Sequence, residues 1–483
     1  MTLPNITHVF VLMLENRSFD HMLGASGLPG IAVPPAGTSN SYNGASYPFG
    51  NQPPAVMAVD PGHEFPDVVV QLAGKGASYP SGGPYPPIEM SGFVADYASS
   101  PSSGEGNAPS ADLGQIMQGF PASALPVLNT LASEFAVCDH WFASMPGPTW
   151  PNRFFVAAAS SGGLDHSPTT AEMITWETVK GFSFPNGTIF DKLGSRRWRL
   201  YADGVLTIFG GLKGIFPWNI HGFADFAGDV ASSSYPGGFT FIEPNYGNVV
   251  TFKGGTSQHP LDTVSGGELL IKQTYEAIRN SPHWETSLLI ITYDEHGGFF
   301  DHVRPGPAPA PSDGSSSKYN QYGFDFKQYG VRVPAVIVSP LIPKGSVNSQ
   351  VYDHSSVLAT VEAVFGIAPL TARDKAANNL LSLLSLSAPR TDTPTVLPNP
   401  APTPTSELGY VAPPPASSTV DAGNLPGFLH SAMVQHAAML PESQQNDLLA
   451  RVQAIRTKGD AADYIMEAEP QLRLARSKGF VQP

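Results

Sequence analysis

The chain has 483 residues, and 26 Lys and Arg stand against 40 Asp and Glu, for a formal charge of -14 with His neutral. That balance excludes general attraction to nucleic acid or anionic membranes, and the single cysteine, Cys138, excludes an intrachain disulfide and a cysteine-rich zinc site. The length implies one large α/β-type domain with insertions, or two domains, and an anionic ligand would need local positive charge of the kind a carboxylate-bound metal ion supplies.

Residues 1–8 lack the basic start and apolar run of a secretory signal, and no stretch approaches 18 uninterrupted apolar residues, so no transmembrane segment is expected. Forty-eight Gly and 48 Pro with few lysines fit a secreted or periplasmic bacterial enzyme.

Val9 to Leu14 (VFVLML) is a short apolar run suited to a buried strand, and Glu15 and Asn16 follow at its carboxyl end. Residues 25–119 and 161–255 are rich in Gly, Pro, Ser and aromatics and read as long loops covering a sheet. Ser265 to Glu268 predicts a capping box opening an amphipathic helix through about Arg279. Leu288 to Tyr293 (LLIITY) is a second strand ending in Asp294 and Glu295, and Val333 to Ser339 a third of the same character. Ser355 to Phe365 predicts a helix stopped by Gly366. Helix followed by strand indicates a mostly parallel sheet, where ligands gather at the carboxyl ends of strands. Nine prolines between Pro389 and Pro415 predict an extended linker. The expected division is a catalytic domain over 1–388, a linker over 389–422 and a small helical element over 423–483, whose apolar faces either pack on the core or touch lipid.

Three carboxylates, Glu15, Asp294 and Glu295, would thus stand at two strand ends. If the strands are neighbours, burying them together costs several kcal/mol of repulsion and desolvation unless a cation is present. Glu15 and Asn16 could equally cap the following turn. Thr149 lies in MPGPTWPNR, where three prolines and a glycine restrict the loop, and a metal-coordinated threonine hydroxyl becomes a usable nucleophile. The alternative is a structural turn with Thr149 bonded to its own backbone. His63, His221 and His259 each sit beside turns and are candidate phosphoryl ligands or general acids, or else satisfied structural histidines.

Seven segments in order, ENRSFDHMLG (15–24), DPGHEF (60–65), DHWFASMPGPTWPNR (139–153), QHPLD (258–262), TYDEHGGFFDHV (292–303), YGVRVPAVIVSP (329–340) and YDHSSVLATVE (352–362), resemble the non-specific phospholipase C and acid-phosphatase family. The resemblance implies an alkaline-phosphatase-like three-layer α/β/α sandwich. It implies one divalent metal ion held by Glu15, Asn16, Thr149, Asp294 and Glu295, with Thr149 also the nucleophile. His63 and His259 match positions that contact the phosphoryl group and protonate the leaving oxygen, and His221 aligns more loosely. Arg153, Asp301, His302 and Arg332 fall in matching motifs, with the expectation that they orient ligands and loops. An oxygen-dominated set favours calcium, magnesium or manganese. The phosphatase branch of the family carries serine at the nucleophile and the phospholipase branch threonine, so Thr149 implies phosphodiester hydrolysis of phosphatidylcholine-like substrates, with an acid phosphatase acting on soluble monoesters as the alternative. Haemolytic members carry long additional C-terminal modules, so haemolysis is not expected. A non-catalytic surface protein and a sulfatase are the remaining readings, the latter at odds with Cys138 lying outside the nucleophile position.

Overall fold

The computed structural model describes residues 5–99, 112–175, 178–195, 197–248, 250–315, 317–403, 415–421 and 423–477. Eight strands form one sheet, in the spatial order Ser346–Asn348, Ala136–Cys138, Ala335–Val338, Ser287–Tyr293, His8–Leu14, Gly238–Glu243, Trp198–Ala202, Ile220–Gly222. Successive side chains of a strand point to opposite faces, yet every residue of His8–Leu14, Gly238–Glu243 and Ser287–Tyr293 is buried. Both faces of the sheet are therefore covered, which defines a three-layer α/β/α arrangement. Each fully buried Val, Leu or Ile contributes roughly 1.5–3 kcal/mol, so these central strands are a stiff platform for whatever follows them.

The two strands expected to carry ligands are neighbours. His8–Leu14 and Ser287–Tyr293 pair in parallel with Leu14 opposite Tyr293, so Glu15 and Asp294 emerge side by side. The third expected strand differs in sense: Ala335–Val338 runs antiparallel to both its partners. The chain between Tyr293 and Ala335 makes no crossover helix and re-enters from the end it left, which permits only the antiparallel direction. Arg332 consequently sits at the carboxyl end of the central strands.

The segment 161–255, expected to be loop, contributes three strands of the sheet. Trp198–Ala202 (WRLYA) and Gly238–Glu243 (GFTFIE) show no clean alternation and lie in a Gly- and Ser-rich context, which hides them among turn signals. Ser265–Arg279 is helical as expected, but its N-cap is Val264 and no side chain caps it. Glu268 instead reaches across to the N-terminus of the Pro126–Glu134 helix, accepting from the N–H groups of Val127 (2.7 Å) and Leu128 (2.9 Å). Ser355–Phe365 ends at Gly366 with φ 70°, the left-handed stop its sequence implies.

Composition marks a boundary near 388 that packing does not respect. Thr393 to Leu397 lies along the Ser265–Arg279 helix: Tyr275 donates to the Pro394 carbonyl at 2.6 Å, and the Leu397 N–H to Glu276 at 2.7 Å. Residues 404–414 of the expected linker and 478–483 of the expected helical element lie outside the described residues. Helices Leu425–Ala437, Glu442–Gln453 and Lys458–Arg476 follow, and most of their apolar residues join the same core cluster as the central strands, with Met466 and Leu474 left exposed. Every residue of Leu425–Ala437 is buried, so this is an internal helix and not the surface of an appended element. Among the described residues no helix is long and apolar enough to cross a membrane.

Candidate active site

Glu15, Asn16, Thr149, Asp294 and Glu295 come together at the carboxyl edge of the sheet, all fully buried. Asn16 holds φ 58°, a left-handed conformation that asparagine tolerates better than most residues and that turns the chain sharply off its strand. Its N–H donates to Asp294 Oδ1 at 3.0 Å, locking the two strand ends together. Asp294 also accepts from the Glu295 N–H (2.7 Å) and from Arg153 Nε (2.9 Å). Arg153 further donates to the Leu14 carbonyl at 2.8 Å, so it fastens both ligand-bearing strand ends to the helix Thr149–Ala158.

Thr149 is the first residue of that helix, following Pro148, and its Oγ1 donates to Asn16 Oδ1 at 3.2 Å. A hydroxyl at a helix N-terminus faces the positive end of the macrodipole, where anions bind. The following Gly-Gly turn is essential to the approach. Gly297 (φ 62°) would place a Cβ 2.1 Å from the Asn16 carbonyl oxygen, and Gly298 (φ 72°) one 2.4 Å from that of Gly62.

Burial and mutual repulsion act on these carboxylates. Burial, then repulsion from Asp294, pushes Glu15 up to about 8. Burial also pushes Glu295 up to about 8, against the pull of His63. Glu15 Oε2 and Glu295 Oε1 are buried without a hydrogen-bond partner, a condition native proteins rarely leave uncompensated. An all-oxygen set of carboxylates, amide and hydroxyl with orphaned oxygens fits a hard divalent cation.

His63 and His259 are both buried at this edge and are driven in opposite directions. Burial disfavours the charged form of His63, but Glu295, Asp60 and Glu64 outweigh it and raise it to about 10. Burial, with the His63 and Arg17 charges, holds His259 well below its ordinary value. His259 stacks on Phe252 at 4.0 Å with its Nε2 3.6 Å from Asp60 and without a hydrogen-bond partner. Arg17 fixes the His259 loop, donating to the carbonyls of Gln258 (2.7 Å) and His259 (3.2 Å).

His221 is not brought to this centre. It lies on the edge strand Ile220–Gly222, level with Leu12 but three strands away from it, where its ring packs 5.3 Å from Tyr201. The strand that carries it was hidden in an apparent loop, which is why its alignment with the other histidines misplaced it.

Asp301, His302 and Arg332 form an adjoining cluster with Asp20. Among the described residues, Asp20, Asp301 and His302 are the one trio of acids and histidine whose ligand atoms lie within 4.8 Å of one another. A guanidinium already occupies it: Arg332 donates to Asp20 at 2.7 Å and to both oxygens of Asp301 at 3.1 Å. His302 lies 2.7 Å from Asp20. This network ties the turn after Asn16 to the loop after Glu295. Asp20 and Arg17 were overlooked in the sequence although both lie in the ENRSFDH segment.

Residues 6–368 match the model of the Phosphoesterase family. The chain is 37% identical over 425 residues to non-specific phospholipase C6 of Arabidopsis thaliana, covering 82% of this chain and 76% of that protein. It is 33% identical to non-specific phospholipase C3 of the same plant, covering 96% and 88%. Phospholipase C B of Mycobacterium tuberculosis (strain ATCC 25618 / H37Rv) is 27% identical, covering 80% and 79%. Among solved structures, the phosphonate monoester hydrolase of Agrobacterium radiobacter superposes over 78% of this chain and 77% of that one, at 10% identity and TM-score 0.34. Family match and sequence relatives define the class: an α/β enzyme that hydrolyses phosphoric esters. The chain belongs to the Phosphoesterase family.

Proposed function

We propose that this enzyme is a phospholipase C that cleaves phosphatidylcholine-like phosphodiesters through a phosphothreonine at Thr149, releasing a diacylglycerol and a phosphorylated head group. One observation carries the reading: Thr149 Oγ1, at a helix N-terminus, is hydrogen-bonded to Asn16 Oδ1 beside three buried carboxylates. Glu15, Asn16, Thr149, Asp294 and Glu295 would hold one divalent ion, of the calcium, magnesium or manganese type. Bound there, such an ion would lower the pKa of the Thr149 hydroxyl and neutralise phosphoryl charge.

Thr149 Oγ1 then bonds to phosphorus in line with the departing alcohol oxygen, its own proton having gone to solvent. His63, held cationic by its acidic neighbours, donates its proton to that alcohol as the phosphorus–oxygen bond breaks. In the second half, water attacks the phosphorylated Thr149 and gives a proton to the now neutral His63, and the Thr149 oxygen departs. Two inversions leave the configuration at phosphorus retained. His259, kept neutral by burial and by its cationic neighbours, offers an unpaired Nε2 to the phosphoryl group.

The similarity to enzymes named phospholipase C favours the diester over a soluble monoester, and the Gly- and Pro-rich composition favours action outside the cytoplasm. The test is hydrolysis of a phosphocholine diester and of a phosphomonoester by wild type and Thr149→Ala, with and without a chelator. Diester turnover should fall by about 10⁴-fold or more in the variant and be lost with chelator. Full activity in Thr149→Ala would remove the proposed nucleophile, and turnover of the monoester alone would select an acid phosphatase.

A further inference from the structure

Every side chain assigned a part so far lies within residues 6–368, the span of the family match. Asn424 lies well beyond it, yet its amide enters the same centre. Its Nδ2 donates to Thr149 Oγ1 at 3.3 Å and to Glu15 Oε1 at 3.1 Å, and the residue is 2% exposed. Its Oδ1 is buried without a hydrogen-bond partner, so the side chain is oriented by the two acceptors of the site and not by its own surroundings. Leaving a buried amide oxygen unpaired is unfavourable, so the pull of the two acceptors outweighs it.

The helix that follows fixes this placement. Gly427 lies so close to the indole of Trp150, the residue after Thr149, that a Cβ there would fall 2.2 Å from the ring. Phe428 packs between Trp150 (5.6 Å) and Tyr246 (4.8 Å). Further along, Ser431 donates to the Thr207 carbonyl at 2.5 Å, and Gln435 to those of Gly210 (2.7 Å) and Ile215 (2.8 Å). Asn424 makes no side-chain cap for its own helix, so the amide is free to serve the site.

We propose that Asn424 is a catalytic residue supplied by the C-terminal segment, donating a hydrogen bond to the nucleophilic oxygen of Thr149. The Thr149 hydroxyl donates a hydrogen bond to Asn16 Oδ1 and accepts one from Asn424 on a lone pair. An N–H aimed at that oxygen stabilises it when it carries negative charge, both as it attacks phosphorus and as it departs from the phosphorylated form. The inference rests on Thr149 being the nucleophile.

The test uses full-length Asn424→Ala and Asn424→Asp, the latter isosteric but without the N–H, beside Thr149→Ala and His63→Ala. Substrates are p-nitrophenyl phosphocholine, with a good leaving group, and a short-chain phosphatidylcholine, with a poor one. Loss of one such donor should lower kcat by about 10²- to 10³-fold with KM changed little. The loss should be the same for both substrates, because Asn424 touches the attacking oxygen; His63→Ala should be rescued by the good leaving group. Chelator-treated Asn424→Ala should still gain thermal stability when calcium, magnesium or manganese is added, showing that the centre is intact. Wild-type kcat in both Asn424 variants, with Thr149→Ala inactive, would overturn this inference alone. A loss in Asn424→Ala that comes with no metal-induced stabilisation would also overturn it in favour of a structural part. Activity in Thr149→Ala would instead overturn the nucleophile assignment on which it rests.

Discussion

Side chains in this protein do their work in charged sets, and away from the active site the clearest set surrounds His166. Its Nδ1 lies 3.0 Å from Asp165 and its Nε2 2.9 Å from Glu172, while Asp165 also accepts the Gln321 and Tyr322 N–H groups at 2.9 Å. Burial opposes the imidazolium, but the hydrogen bonds to Asp165 and Glu172 prevail and raise it to about 9. A histidine raised in the folded state contributes stability that is full below its unfolded value near 6.5 and is lost as pH rises through 9. Wild type should therefore lose up to about 3 kcal/mol relative to His166→Gln between pH 6.5 and 9. Paired thermal melts across that range would show it, and parallel curves would refute the pairing. At the same scale Asn16, Asp294 and Arg153 are one unit: each bond fixes a group that another needs, so their substitutions should not add.

At the scale of elements, turns set the distances on which the centre depends. The strand ends bearing Glu15 and Asp294 are held together by register, but the loop bearing Glu295 can close on them only because position 297 has no Cβ. Gly297→Ala should cost about 1–3 kcal/mol from its left-handed φ alone, more from the clash with the Asn16 carbonyl, and should abolish turnover. Circular dichroism with activity measured on the soluble fraction would check it; an active, equally stable variant would mean that the turn can move. The N-terminal placement of Thr149 obeys the same logic, since the helix Thr149–Ala158 is pinned through Arg153 and cannot slide without breaking the Asp294 pair.

For the molecule as a whole, the C-terminal helices share one hydrophobic core with the sheet, from Val11 and Ile290 to Phe428, Met433 and Tyr464. A chain packed in this way should unfold as one unit. Calorimetry is expected to give a single transition, and truncation after Ala388 to yield a protein that does not fold, because it strips the cover from Trp150, Tyr246 and Phe209. A stable, fully active 1–388 fragment would contradict both expectations.

Much of the central architecture was legible in local sequence. The runs VFVLML and LLIITY fit buried strands better than helices by their length and β-branched content, and the helices Ser265–Arg279 and Ser355–Phe365 carry their period and stop signals with them. Motifs of acids, amides and a proline-ringed threonine likewise pointed to the residues now found side by side. Other features were illegible for a physical reason: they depend on contacts between distant parts of the chain. The strands within 161–255 show no clean alternation because their neighbours, not their own period, bury them. The sense of Ala335–Val338 depends on the route of the preceding loop, and the exclusion of His221 on how many strands intervene. Sequence by itself determined the central strands and two of the helices and singled out the acids that lie together at the sheet edge, because local periodicity and side-chain chemistry suffice for those. Tertiary structure alone decided that Arg332 fills the Asp20–Asp301 pair and that Asn424 reaches Thr149, since packing across hundreds of residues leaves no mark on any one segment.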